Sequence, residues 1–352
     1  MRYTRGTVRV RLALVASIAL PACGARTSLR EDAEAVASTA EASSSASSGE
    51  GGCSPTTLEA DSPGVEFLVA EGEQVFYVTR DHRVMAANLD TAEATLLTAT
   101  SPMALAGAVT AFGDFVYYAD DNVVWRVSKA GGAPEALTEK IPQLFNLTAD
   151  ASGLYWTQGG GPVAARDIIR RRPDGTRITI ASQQHGVFGI LPLPEGIVFS
   201  TQSDDSGVFL ASPDGGAVTA IVTGLPQPRY PFAHGGWIHW VEETDVDKQG
   251  FGAVARAKLD GSGYERVLVE GDPAIVTTRA VTDGVHTFAV RVAANYSVVA
   301  ADYPVATDVV TVRESPFPIS ALSLTLTPKR LVFTFTEPSG EPSIESVCLA
   351  DL

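Results

Sequence analysis

The sequence predicts an all-β chain, a seven-bladed β-propeller closed by its own N-terminal strand, and three observations predict it. A short apolar and aromatic strand returns seven times, at an average spacing of about 43 residues, the length of one four-stranded blade. From residue 63 onward, period-two alternation recurs between Gly, Pro and Asp-Gly punctuation, and no amphipathic stretch keeps a 3.6-residue period long enough for a good helix. The last repeat is too short for four strands, while a strand-like segment ahead of the first repeat has no blade of its own. Joining the two removes a pair of exposed strand edges.

Composition agrees with one large folded body. In 352 residues, 45% are apolar and 19% charged, which suits a packed protein and excludes disorder over most of the length. The net charge is −15, and Arg2, Arg5, Arg9 and Arg11 all fall in the first eleven residues, so the body is more acidic still. Wrapping a phosphate backbone depends on Lys and Arg displacing counterions. Nucleic acid is therefore excluded as a main partner.

Taken in order, residues 1–22 follow the plan of an export signal: four arginines, the apolar stretch Leu12 to Leu20, then small residues before Cys23. The apolar stretch is too short to span a bilayer. Leu20-Pro21-Ala22-Cys23 resembles the lipobox of bacterial lipoproteins. That resemblance implies cleavage before Cys23 and a diacylglycerol on its thiol, with plain secretion as the other outcome. By the same resemblance, Gly24 after the cysteine implies the outer membrane, and a membrane partner engaged through the lipid anchor. Residues 23–52 then read as lipidated cysteine and flexible linker. They are rich in Ala, Ser, Glu and Gly and offer almost nothing to bury against the entropy of ordering.

Residues 53–352 form the expected propeller domain. The recurring strand runs Val75-Phe76-Tyr77-Val78, Phe115-Val116-Tyr117-Tyr118, Leu154-Tyr155-Trp156-Thr157, Ile197-Val198-Phe199-Ser200, Trp237-Ile238-His239-Trp240, Val285-His286-Thr287-Phe288 and Leu331-Val332-Phe333-Thr334. Before each copy comes a tight turn and an apolar strand, such as Leu144 to Thr148 or Ala321 to Thr327. After it come a third strand, a turn such as Pro213-Asp214-Gly215, and an outer strand such as Thr95 to Ala99 or Val218 to Val222. Asp-Gly tolerates the positive φ that a tight hairpin requires. Leu154-Tyr155-Trp156-Thr157, with Gln158 in place of Asp, resembles the core of the YWTD repeat, and the body is similar to bacterial YWTD-like or NHL-like propellers. The seventh copy ends in Ser346 to Ala350 as its third strand, leaving Ser54 to Ala60 to complete the blade.

Three cysteines in an exported chain leave one over after pairing, and the lipobox takes it. Cys53 and Cys348 then stand near the same hairpin end of the seventh blade and are expected to pair.

Candidate chemistry is sparse. The five histidines form no His-x-x-x-His or His-Glu-x-x-His pair, and Gly-x-Ser-x-Gly, P-loop and dinucleotide-binding glycine patterns do not occur. Asp245 and Asp247, with Gly250, open like a calcium loop, so Ca²⁺ is the one cofactor the sequence suggests. Arg256 stands where that loop would place its bidentate Glu, and a solvated acidic hairpin is the expectation. Arg170-Arg171-Arg172 reads as an alternating strand pairing with nearby acids. The densest aromatic group is in the fifth blade, where Tyr230, Trp237 and His239 are the ligand-binding candidates, beside Phe232, His234 and Trp240. Alternation puts Trp237 and His239 on one face and Ile238 and Trp240 on the other. Two functions follow: a non-catalytic envelope propeller binding a protein or glycan, or a propeller hydrolase of the lactonase kind with a divalent metal at the channel. The inner strands carry mainly Ala, Leu and Thr, which favours the binding reading.

Overall fold

The computed structural model describes residues 53–352 apart from 60–64, 80, 101–107, 160–164, 204, 244–251, 270–278, 293–295, 305–308, 316–323 and 337–341. The described residues form a seven-bladed β-propeller. The chain begins with β1 (Thr56–Glu59). Blade one is β2 (Val65–Glu71), β3 (Gln74–Thr79), β4 (Arg83–Asn88) and β5 (Ala94–Ala99). Blade two is β6 (Val109–Phe112), β7 (Phe115–Asp120), β8 (Val123–Ser128) and β9 (Glu135–Ala136). Blade three is β10 (Leu144–Asp150), β11 (Gly153–Gly159), β12 (Ala165–Arg171) and β13 (Arg177–His185). Blade four is β14 (Val187–Leu193), β15 (Gly196–Thr201), β16 (Gly207–Ala211) and β17 (Val218–Thr223). Blade five is β18 (Arg229–His234), β19 (Trp237–Glu243), β20 (Gly252–Ala257) and β21 (Glu265–Val269). Blade six is β22 (Ala280–Thr282), β23 (His286–Val292), β24 (Tyr296–Asp302) and β25 (Val309–Ser315). Blade seven is β26 (Leu324–Leu326), β27 (Arg330–Thr336) and β28 (Pro342–Cys348), with β1 as its outer strand. A short 3₁₀ turn, Leu349–Asp351, follows.

The recurring strand of the sequence is the second strand of every blade, and burial explains why it is the legible one. In β3 five consecutive residues are buried, and in β15 all six are. A propeller packs blade on blade, so this strand has a neighbour on both faces and reads as a continuous apolar run. The outer strands β5 and β17 are exposed except at one or two positions, which leaves them little pattern to show. Seven hydrophobic clusters result, each straddling two adjacent blades. The cluster between blades seven and one unites Leu58, Val332 and Ile344 with Val65, Leu68, Val75 and Tyr77.

The termini close the ring. β1 pairs antiparallel with β28 from Thr56↔Ser346 to Glu59↔Ser343, and the Thr56 amide donates to Ser346 Oγ at 3.1 Å. Cys53 and Cys348 form a disulfide with Cα atoms 5.8 Å apart, spanning 295 residues. Beside it Arg330, only 2% exposed, donates to Ser54 O and to Thr56 Oγ1 at 3.0 Å. It also pairs with Glu73 at 3.1 Å and Asp90 at 2.7 Å across the interface to blade one. The third strand of blade seven lies earlier than its apolar tail Ser346 to Ala350 suggests. β27 pairs with β28 along its whole length, Thr336↔Pro342 to Arg330↔Cys348, and that register ends the strand at the disulfide.

Candidate ligand site at the mouth of the central channel

Every blade repeats the same inner-to-outer strand order, so the seven inner strands start at one end of the channel. Residues of β2, β6, β10, β14, β18, β22 and β26 line a central cavity of about 490 Å³. Its wall is mostly aliphatic, as the sequence implies, but the end where the inner strands begin is different. There the lining includes Phe145, Asn146, Arg166, Phe188, Tyr230 and Arg279. The described lining residues contain two arginines and no aspartate or glutamate.

Local backbone geometry builds this mouth. The inner strands of blades three, four and five each slip register near their first residues, at Phe145/Leu147, Val187/Ile190 and Arg229/Phe232. A bulge adds one residue and re-aims its neighbours. Within these irregularities Asn146 has φ 43° and Tyr230 φ 48°, a left-handed conformation that costs a non-glycine residue on the order of 1–3 kcal/mol. Asn146 donates to Thr157 Oγ1 at 3.1 Å, which holds it in place. In blade four the equivalent residue is Gly189, φ 158°, where a Cβ would lie 2.7 Å from Pro231 Cδ and 2.9 Å from Tyr230 Cα. Only glycine lets the two inner strands approach so closely.

The cations are carried on aromatic rings. Arg166, 3% exposed at the start of β12, lies with Cζ 3.8 Å from the Phe145 centroid and 5.9 Å from that of Phe188, and donates from Nη1 to Val187 O at 2.7 Å. It thereby bridges blades three and four. Arg229 sits 5.3 Å over the same Phe188 ring and donates from Nη2 to Gln227 Oε1 at 3.1 Å. Arg279 lies 5.3 Å over Tyr230. Burial lowers the pKa of Arg166 from its ordinary value. Arg279 is lowered for the same reason, with Tyr230 acting in the opposite direction.

The ligand candidates named by the sequence are divided between two places. Tyr230 lines the channel. Trp237, at the hairpin start of β19, is half-buried beneath Arg256, 4.2 Å, and Lys258, 5.6 Å. His239 has no exposure at all; it stacks on Phe232 at 4.9 Å and lies 5.6 Å from Tyr303. Its pKa is pushed down to about 3, by burial first and then by Arg256 and His234. Cys23, Asp245 and Asp247 lie outside the described residues. Among the described residues no group of three or more His, Cys, Asp or Glu is placed to hold a metal ion. Of the arginine run, Arg172 pairs with Asp214 at 2.7 Å, and Arg170 donates to Ser152 O at 2.9 Å and Pro213 O at 3.0 Å.

Sequence reasoning missed Arg166, Arg229 and Arg279. They come from the third strand of one blade and from the starts of two inner strands, and no local spacing links them. What the three share is positional: each stands within the first two residues of a strand or just before it, at β12, β18 and β22.

No protein-family model matches the sequence, and no curated protein does. Solved structures match the fold. An oligogalacturonate lyase in complex with manganese superposes with TM-score 0.64 at 13% identity, over 84% of this chain and 96% of that one. A puromycin-hydrolyzing peptidase of Mycobacterium tuberculosis gives TM-score 0.62 at 14% identity over 81% of this chain, which spans about half, 51%, of the peptidase. The AfRom2 CNH domain gives 0.55 at 9% identity, over 84% of this chain and 99% of that one. At these identities the likeness is one of fold.

Proposed function

We propose that the chain is a lipid-anchored binding module of the cell envelope: residues 1–22 direct export, Cys23 carries the lipid, residues 24–52 tether, and the propeller binds a protein or glycan without catalysis. The observation that carries the binding reading is the channel mouth, where Arg166, Arg279 and their aromatic supports stand at a preformed cavity. Cavities of this size, with apolar walls and a few fixed polar groups, are the usual form of ligand sites. A metal-dependent hydrolase needs carboxylate or imidazole ligands converging at the channel. Among the described residues, this mouth presents guanidinium groups instead. The fold is shared with the lyase and the peptidase, and a fold does not carry its chemistry with it.

The YWTD-like reading of Leu154 to Thr157 has local support. Trp156 Nε1 donates to Gln158 Oε1 at 3.0 Å, and the equivalent Trp240 donates to Glu242 Oε1 at 2.9 Å. Two blades thus use one device, an indole N–H satisfied by the side chain two residues on.

Two measurements test the proposal. Cys23→Ser is expected to release the exported protein from membranes, and unchanged fractionation with membranes overturns the anchor. For the body, a panel of esters, lactones and glycans is incubated with the full chain with and without Mn²⁺ or Ca²⁺. Binding without turnover is expected; turnover that EDTA abolishes replaces the binding module by the hydrolase.

A further inference from the structure

The wall of the channel is aromatic where the inner strands are irregular. In four blades the inner strand slips register near its start, at Val65/Phe67, Phe145/Leu147, Val187/Ile190 and Arg229/Phe232. Each slip is accompanied by an aromatic residue on the cavity, Phe67, Phe145, Phe188 or Tyr230 in turn, and all four are only partly buried. The inner strands of blades two, six and seven keep an unbroken register over their described lengths. They give the cavity small and aliphatic side chains such as Ala108, Val109, Val281 and Leu324. A bulge re-aims the side chains beside it, so the aromatic part of the wall is a product of these irregularities.

The backbone is strained to keep the rings there. Asn146 and Tyr230 hold left-handed φ values inside two of the slips. At the slip between them, Gly189 brings the strand of Phe188 against Tyr230, where a Cβ would lie 2.9 Å from Tyr230 Cα. Strain that leaves large apolar rings at an open space, instead of packing them away, points to something that covers them. The arginines of the wall are spent on the rings: Arg166 is buried over Phe145 and donates to Val187 O, and Arg279 lies over Tyr230. The other described lining side chains are uncharged, and their polar groups are few: Thr110, Asn146, Thr148, Thr325 and the Tyr230 hydroxyl. Asn146 already donates to Thr157 Oγ1. Water in such a space finds few of the hydrogen bonds that hold an ordered molecule.

We infer that the channel is a binding site for an uncharged apolar small molecule, aromatic or hydrocarbon in body, with Phe145, Phe188 and Tyr230 as its main contact wall. The inference rests on the binding reading of this cavity and gives it a ligand beyond a protein or glycan. A space of about 490 Å³ has the size of a small-molecule site. A neutral apolar ligand gives up few hydrogen bonds on entering it, whereas a charged or heavily hydroxylated one leaves polar groups unsatisfied against rings and aliphatic chains.

The test is fluorescence titration of the purified full chain with two probes of one skeleton, neutral N-phenyl-1-naphthylamine and its sulfonate, 8-anilinonaphthalene-1-sulfonate. Saturable binding of one naphthylamine per chain is expected, tighter than that of the sulfonate by about tenfold or more. Thr148→Trp fills the cavity and should abolish the binding. Phe188→Ala removes one ring of the wall and should weaken it by about tenfold. The melting temperature checks that each variant folds; either one carries the result if the other does not, and the comparison of the two probes on the wild-type chain needs neither. No saturable binding, a sulfonate bound as tightly as the neutral probe, or folded variants with unchanged affinity would each overturn the assignment. The two levels fail separately. Turnover in the panel of esters and lactones overturns the binding module and leaves the apolar site standing, whereas a glycan bound without turnover by a chain that ignores the naphthylamine does the reverse.

Discussion

Removing the disulfide should open the ring at its weakest joint. β1 is four residues long and holds the blade closed through four register pairs, Leu58 in the inter-blade cluster, and the Cys53–Cys348 bond. Replacing both cysteines by serine frees the denatured chain from a loop closed across a separation of 295 residues. In the chain-entropy model the stabilisation lost is about 5.7 kcal/mol at 25 °C, an upper figure because denatured chains keep some structure and engineered or deleted bonds return less. A body of about 300 residues has an unfolding entropy near 0.6 kcal/mol/K, so the melting temperature should fall by roughly 5–9 °C. Differential scanning calorimetry of the wild-type protein and of the Cys53→Ser/Cys348→Ser variant reads the shift directly. Reduction of the wild-type protein should reproduce it, and limited proteolysis should then cut before Val65 first. A variant that melts within about 1 °C of wild type would refute the reasoning, because it would mean that joining the ends does not restrict the unfolded chain.

Two further predictions concern buried charge. Arg330→Met should cost about 2–3 kcal/mol in denaturant unfolding, less than a fully buried pair, since Asp90 is half exposed and keeps its water while Glu73 is left in a mostly buried place; stability equal to wild type would contradict the account of the joint. His239 has a folded-state pKa near 3, held there by burial, Arg256 and His234 against a smaller opposing contribution from the Trp237 backbone, with Phe232 and Tyr303 packed beside its ring. Because the folded state resists the proton that the unfolded state accepts at about 6.5, this stabilisation is complete above pH 6.5 and is lost as pH falls toward 3, by about 2 kcal/mol at pH 5. His239→Phe should flatten the acid limb of the stability curve between pH 6.5 and 5, and an unchanged limb would show that another group causes it.

How much was legible follows from burial. The second strands stood out because blades press on both of their faces, so Val75 to Val78 and Ile197 to Ser200 had to be apolar or small throughout. The closing strand was legible from a count: blade seven lacked one strand and Ser54 to Ala60 had no other use. The pairing of Cys53 with Cys348 followed from that closure. Val285, expected to open its strand, instead belongs to the turn and is 63% exposed, because Asp283 accepts from the amides of Val285 and His286 and delays the start of β23. The fifth-blade aromatics looked like one group in the sequence, yet strand direction sends Tyr230 to the channel mouth and Trp237 to the opposite end of the blade.

By itself the sequence determined what repeats: the blade period, the all-β character and the clasp, each of which is a local pattern or a count. Only the tertiary structure decided the site. Arg166, Arg229 and Arg279 stand more than a hundred residues apart from first to last, and no periodicity relates them. Closing a ring brings the start of each inner strand to one rim, and bulges then choose which side chains face the opening, so the chemistry arises from curvature that no stretch of sequence displays on its own.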